Sequence, residues 1–216
     1  VFFSGFSSVK YSSGYVIFLN FIASKEYKNF FIAVTPYLIG WIIYFIFTNS
    51  NPLVNFFEPI ELSLKKGYIR DADIFSLINM YFLNSNGVVL KFIFVIFIFL
   101  INYFILVQIN KNNNPFYRAS LILFCPLIFF PHSNYDYILL FPLLCYSFLN
   151  NDYLINKINI YFIIYFYYFN RIINHLIDFD VLYQPILLLF MIILLILNLH
   201  SYKSKNNLYF FNIKLI

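Results

Sequence analysis

Between two long apolar runs stands the island Pro131, His132, Ser133, Asn134, Tyr135, Asp136, whose histidine and acid are the only ones between Asp73 and Asp152. Placing an imidazole and a carboxylate at the edge of hydrocarbon costs several kcal/mol unless they are paired or wetted. Such a pair points to chemistry there: His132 could donate to an anionic group or assist proton transfer, and Asp136 could orient it. Pro, Ser and Asn are also ordinary turn residues, so a plain external turn between two helices is the competing reading. A metal site is not indicated, since two ligands do not make one.

The elements that would have to hold this island follow from composition. The chain of 216 residues is 62% hydrophobic, 24% aromatic and only 11% charged, with a mean hydropathy of +0.78. That is far more apolar than an ordinary soluble domain. The reading is an all-α, polytopic integral membrane protein, because the apolar runs are near-continuous and do not alternate as barrel strands do. The abundance of Phe, Tyr, Ile, Asn and Lys fits an AT-rich coding sequence, which makes single Tyr and Asn residues weak pointers to function.

Apolar segments fall at about 11–24, 29–48, 87–108, 117–131, 135–149, 157–174 and 182–199, giving a bundle of six to seven elements in one domain, 1–216. A hydrocarbon core needs about twenty helical residues, so the second, third, sixth and seventh are expected to span fully. The others are short, and Pro126, Pro131 and Pro142 fall among them; short helices of this kind are tolerated where they open on a protein-lined cavity. Loop 49–86 is expected to carry two short amphipathic helices on an extracytoplasmic surface, around Ile60–Ile69 and Ile74–Phe82. Its cations Lys65, Lys66 and Arg70 read first as a solvated face beside Asp71 and Asp73, and second as a contact for lipid phosphate.

Charge sets an orientation. Alternating the segments puts the connections near 24–28, 109–118 and 150–157 and the tail after 200 on one side, with eight basic residues (Lys25, Lys28, Lys111, Arg118, Lys157, Lys203, Lys205, Lys214) against Glu26 and Asp152. The other side holds six basic and seven acidic residues, so the positive-inside rule makes the first side cytoplasmic and the His132 island extracytoplasmic. The net charge of +5 is then an orientation signal and not one for nucleic acid. No Walker loop, dinucleotide fingerprint, HExxH pair or GxSxG elbow is present, and no cofactor is implied. Cys125 and Cys145 lie in apolar runs, as small hydrophobes and not as a disulfide. Asn20, Asn102 and Asn198, inside apolar runs, are expected to hydrogen-bond across helices. Trp41 and the many tyrosines read as packing or interface belt.

Lys10, Tyr11, Ser12 and Gly14 opening an apolar helix that closes with Lys25 and Lys28, followed by Pro131, His132, Ser133, Tyr135, Asp136, Leu139, Leu140 and Pro142, resemble glycosyltransferase family 87. These are polytopic GT-C type enzymes, many of them mannosyltransferases, that take a sugar from a polyprenyl phosphate. The resemblance covers most of this chain but only the C-terminal portion of a complete member, and implies an N-terminally truncated fragment of a hexosyltransferase in a bacterial plasma membrane. It implies catalytic roles for His132 and Asp136 and substrate-binding roles for Lys10, Ser133 and Tyr135. The partners would be a polyprenyl-phosphate sugar donor, a lipid or glycan acceptor and membrane lipids. Two departures stand out: no position matches the family's acidic residue in its first extracytoplasmic loop, and Tyr11 follows Lys10 where many members have Pro. The alternatives are a small transporter or lipid flippase, whose polar groups would sit near the bilayer midplane, and a noncatalytic membrane remnant.

Overall fold

A computed structural model describes residues 11–48, 73–74, 77, 88–129, 134–176 and 180–206, with backbone alone described at 11–13, 37, 41, 48, 88–92, 134–136, 166–176, 180–184 and 202–206. Seven α-helices account for almost all of it: α1 (Tyr11–Ala23), α2 (Tyr27–Thr48), α3 (Val88–Ile109), α4 (Pro115–Phe129), α5 (Phe141–Leu149), α6 (Leu154–Leu176) and α7 (Asp180–Asn206), with a 3-10 helix at Asn134–Leu140 leading into α5. No strand occurs among the described residues.

The short connections are built from caps. α1 ends in a Schellman motif: Glu26 N–H donates to the Phe21 carbonyl at 2.8 Å and Lys25 N–H to the Ile22 carbonyl at 3.0 Å. Lys25 occupies the left-handed position, φ 61°, where glycine is usual and another residue costs about 1 kcal/mol. α4 starts with Asn114 as its cap, whose Oδ1 accepts from the N–H groups of Phe116 and Tyr117 at 3.0 and 3.1 Å. Pro115 takes the first helical position, where its missing donor is harmless. At the α5–α6 turn the Asn156 side chain donates to the Asn150 carbonyl, and the Asn150 side chain donates to the Tyr146 carbonyl at 2.9 Å.

α4 is the centre of the bundle, packed against α1, α3, α5, α7 and the 3-10 helix. Its last six residues, Phe124 to Phe129, are buried without interruption, so every face of its C-terminal half is covered. The core around it takes Leu106 and Ile109 from α3, Leu140 and Leu143 around the start of α5, Ile163 from α6, and Leu187, Met191 and Leu194 from α7.

The outside of the bundle is as apolar as its core. On α7 an exposed stripe of Ile186, Leu189, Phe190, Ile193, Ile196 and Leu197 backs onto a buried stripe of Leu187, Leu188, Met191, Leu194 and Leu195. α3 repeats the arrangement, with Ile93, Ile96, Phe97, Leu100 and Phe104 exposed. α2 packs mainly on α1 among the described residues, and six successive residues, Ile42 to Phe47, are exposed on it, more than a full helical turn. Among the described residues, Tyr27–Phe47 is the one stretch long and apolar enough to cross a membrane. The expectation that α3, α6 and α7 also span is met in helix length, at 22, 23 and 27 residues, while their apolar stretches among the described residues are shorter.

Polar side chains lie inside. The Asn159 and Asn198 carboxamides face each other, Asn198 Nδ2 donating to Asn159 Oδ1 at 2.9 Å and Asn159 Nδ2 to Asn198 Oδ1 at 3.0 Å. The second hydrogens go to the Leu194 carbonyl at 2.7 Å and to Ser147 Oγ at 3.2 Å. The Tyr117 hydroxyl donates to Asn198 Oδ1 at 2.6 Å, and its ring stacks on Tyr146 with centroids 4.5 Å apart. This knot ties α4, α5, α6 and α7 together, and all four amide hydrogens of the pair are used.

The pairing predicts its own loss. Interhelical hydrogen bonds in a membrane contribute about 0.6 kcal/mol each, so Asn198→Ala, which removes several and strands Tyr117 and Asn159, is expected to lower unfolding stability by about 2–3 kcal/mol. A double-mutant cycle with Asn159→Ala should show a coupling of about 1 kcal/mol; additive effects in a detergent unfolding titration would mean that the two amides do not pair.

Candidate functional site

Of the five residues proposed from sequence, Lys10, His132 and Ser133 lie outside the described residues. Tyr135 and Asp136 are described by backbone alone, in the first turn of the 3-10 helix Asn134–Leu140. α4 stops at Phe129 and that helix starts at Asn134, so the second half of the island, Asn134 to Asp136, opens a helix.

The described residues bring together a different set. Asp73 is completely buried, although it reads in sequence as part of a solvated charged face. The turn it opens, with Leu77 N–H donating to the Asp73 carbonyl at 3.2 Å, lays Ile74 and Leu77 against the core. Tyr15 of α1 links the cluster, standing close enough to feel the charges of Asp73 and of Cys125 on α4 and close to the Asn102 side chain on α3. Tyr15 is fixed by an edge-on contact with Phe99, with centroids 5.2 Å apart.

Asn102 is fully buried. Its Nδ2 donates to the Ile98 carbonyl one turn back at 3.3 Å, and its Oδ1 accepts no hydrogen bond among the described residues. The Asn159–Asn198 knot therefore has no amide hydrogen left for a ligand, whereas the Asp73 cluster keeps an unused acceptor. Tyr15, Asn102 and Cys125 lie eight, seven and ten residues from the ends of their helices at the α1–α2 and α3–α4 turns. At 1.5 Å per residue that puts the cluster about 10–15 Å from those turns.

Beside it runs an apolar groove of about 470 Å³ between α1 and α3, lined by Leu19, Ile96, Phe99, Leu100 and Tyr103 and open to the outside. Phe99 belongs to both features, forming a wall of the groove and packing against Tyr15.

Cys125 is buried and Cys145 half-buried, both as free thiols, in keeping with the sequence reading. No group of three or more His, Cys, Asp or Glu side chains that could hold a metal ion occurs among the described residues. Asn20 does hydrogen-bond across helices, accepting from Asn110 Nδ2 at 2.9 Å, as Asn198 does; Asn102 bonds within its own helix. What sequence reasoning missed is Asp73, and the available signal was its place ahead of Ile74 and Leu77, which share one apolar face with it.

No family model, curated protein or solved structure matches this chain.

If Asp73 holds its turn on the bundle, removing it exposes what the turn covers. In a Cys145→Ser background Cys125 should resist maleimide in mild detergent, and Asp73→Ala should speed its labelling at least tenfold, since losing a buried polar interaction costs about 1–3 kcal/mol of local stability. Unchanged labelling would show that Asp73 does not anchor the turn.

Proposed function

We propose that the chain is a polytopic membrane protein that transfers a hexose, mannose-like in stereochemistry, from a polyprenyl phosphate to a lipid or glycan acceptor on the extracytoplasmic face. The observation that carries this reading is the apolar groove between α1 and α3 with a buried carboxylate behind its inner wall. A lipid-linked sugar needs both: a slot for an isoprenoid tail and polar groups for the head. Membrane embedding is supported by the apolar outer stripes of α2, α3 and α7, since a soluble monomer seldom exposes an apolar patch beyond a few hundred Å². The identity of the reaction is supported by the sequence resemblance.

In this reading the acceptor hydroxyl attacks the anomeric carbon, the bond from that carbon to the phosphate oxygen breaks, and the polyprenyl phosphate departs. His132 donates to the departing phosphate or carries a proton, Asp136 orients it, and Lys10, Ser133 and Tyr135 hold the donor head. Asp73 adds a carboxylate able to accept the hydroxyl proton, the group the sequence reading lacked.

A transporter or flippase is the second reading, favoured by the depth of Asp73 and Asn102. Polar groups about 10–15 Å from the turns lie toward the middle of a bilayer about 30 Å thick, where such proteins bind their cargo.

Activity separates the two. In reconstituted vesicles given a radiolabelled polyprenyl-phosphate hexose, His132→Ala is expected to lower transfer about 10²–10⁴-fold. Leu100→Trp, which fills the groove, should raise KM for long-chain donors and leave that for short-chain donors unchanged. Flux of the donor across the bilayer with no sugar transferred by the wild type would replace the enzyme reading with the transporter reading.

A further inference from the structure

One end of the bundle collects unpaired positive charge. Hydrogen bonds place three turns together there: Asn110 to Asn20 joins the α3–α4 and α1–α2 connections, while Tyr117 and Asn159, both meeting Asn198, join the starts of α4 and α6 to α7. On these turns lie Lys25, Lys28, Lys111, Arg118 and Lys157, all exposed except Arg118, which is half-buried. Lys111 donates to Gln108 Oε1 at 3.1 Å; the other four form no ion pair among the described residues. The two acids nearby offset them only in part. Glu26, whose Oε2 accepts from Asn29 Nδ2 at 2.6 Å, and the exposed Asp152 leave the five cations in excess by three.

Two further features give this charge a partner. Each turn pairs a cation with an exposed aromatic ring: Tyr27 beside Lys28, Phe116 beside Arg118 and Tyr153 beside Lys157, the rings 56%, 44% and 48% exposed. Rings of this kind sit at the headgroup level of a bilayer, apolar face inward and edge outward. Lys25 also keeps the left-handed position that glycine fills with less strain. Backbone strain retained under a free cation is a reason to look for what the cation binds.

We propose that this end of the bundle is a docking surface for anionic phospholipid, with the phosphodiester headgroups held by Lys25, Lys28, Arg118 and Lys157 and the acyl chains against the exposed apolar stripes above them. The selection of anionic over zwitterionic lipid comes from the surplus of charge, and the depth from the aromatic rings. The surface depends on membrane embedding and not on sugar transfer, so it stands or falls separately from the reaction.

The test is lipid retention by native mass spectrometry. The full chain, in neutral detergent, is given equimolar dioleoyl phosphatidylglycerol and dioleoyl phosphatidylcholine. The wild type is expected to retain phosphatidylglycerol at least tenfold over phosphatidylcholine, and K25Q/K28Q/R118Q/K157Q should fall to within about twofold, each juxtamembrane cation contributing about fivefold. K28R/K157R, which keeps the charge, should behave as the wild type. Lys25→Gly should melt at a higher temperature yet retain several-fold less phosphatidylglycerol, a split that a structural role for the lysine would not produce. Equal retention of the two lipids by the wild type, or an unchanged preference in the quadruple variant with its phosphatidylcholine retention intact, would overturn the proposal. Displacement of the lipid by equimolar glycerol phosphate would overturn it too, in favour of a soluble phosphate site.

Discussion

A polar side chain placed inside an apolar bundle must find its partner within that bundle, and this constraint organises the molecule. The reciprocal Asn159–Asn198 amide pair, extended by Tyr117 and Ser147, satisfies it on one side of α4. Van der Waals packing between Leu and Ile side chains is permissive: a helix can slide or rotate with small loss. An amide pair with every hydrogen committed is directional, so it fixes the rotation and depth of α6 and α7 against α4.

The other side of α4 is built differently. Asn102 spends one hydrogen on its own helix and leaves its carbonyl oxygen unused, while Asp73 and Tyr15 crowd the same interior. One flank of the central helix is thus closed, the other left with chemical capacity. α4 holds the shared position with a C-terminal half buried from Phe124 to Phe129. The groove lies on the flank that retains capacity, which is why the functional reading settles there.

The basic turns complete a polarity along the bundle axis. Cations and aromatic rings gather at one end and the buried amides within about two turns of it, with the Asp73 cluster deeper. This is the order of environments expected on passing from a headgroup layer into hydrocarbon. The connections are rich in caps: Asn114, Asn150 and the Schellman turn at Lys25 supply partners to helix-end groups that have none within the helix.

Sequence alone determined the helices. Near-continuous apolar runs and the Asn, Pro and Lys punctuation between them placed five of the seven within three residues at each end, while α5 starts six residues later than read and α7 runs seven residues further, because helix formation depends on local bonding and local breakers. Sequence also singled out Asn198 and Asn20 as cross-helix donors or acceptors, since an amide in an apolar run has few other options, and it marked His132 with Asp136 as the island richest in chemistry. Only the tertiary structure decided which partners met. Nothing in the local pattern ties Asn159 to Asn198, 39 residues apart, or lifts Tyr117 out of twenty tyrosines that a biased composition makes uninformative. Asp73 was misread for the same reason: its neighbours in the chain, Asp71 and Arg70, are charged, while in space it lies near Tyr15 inside the bundle, and burial is set by the second environment and not by the first.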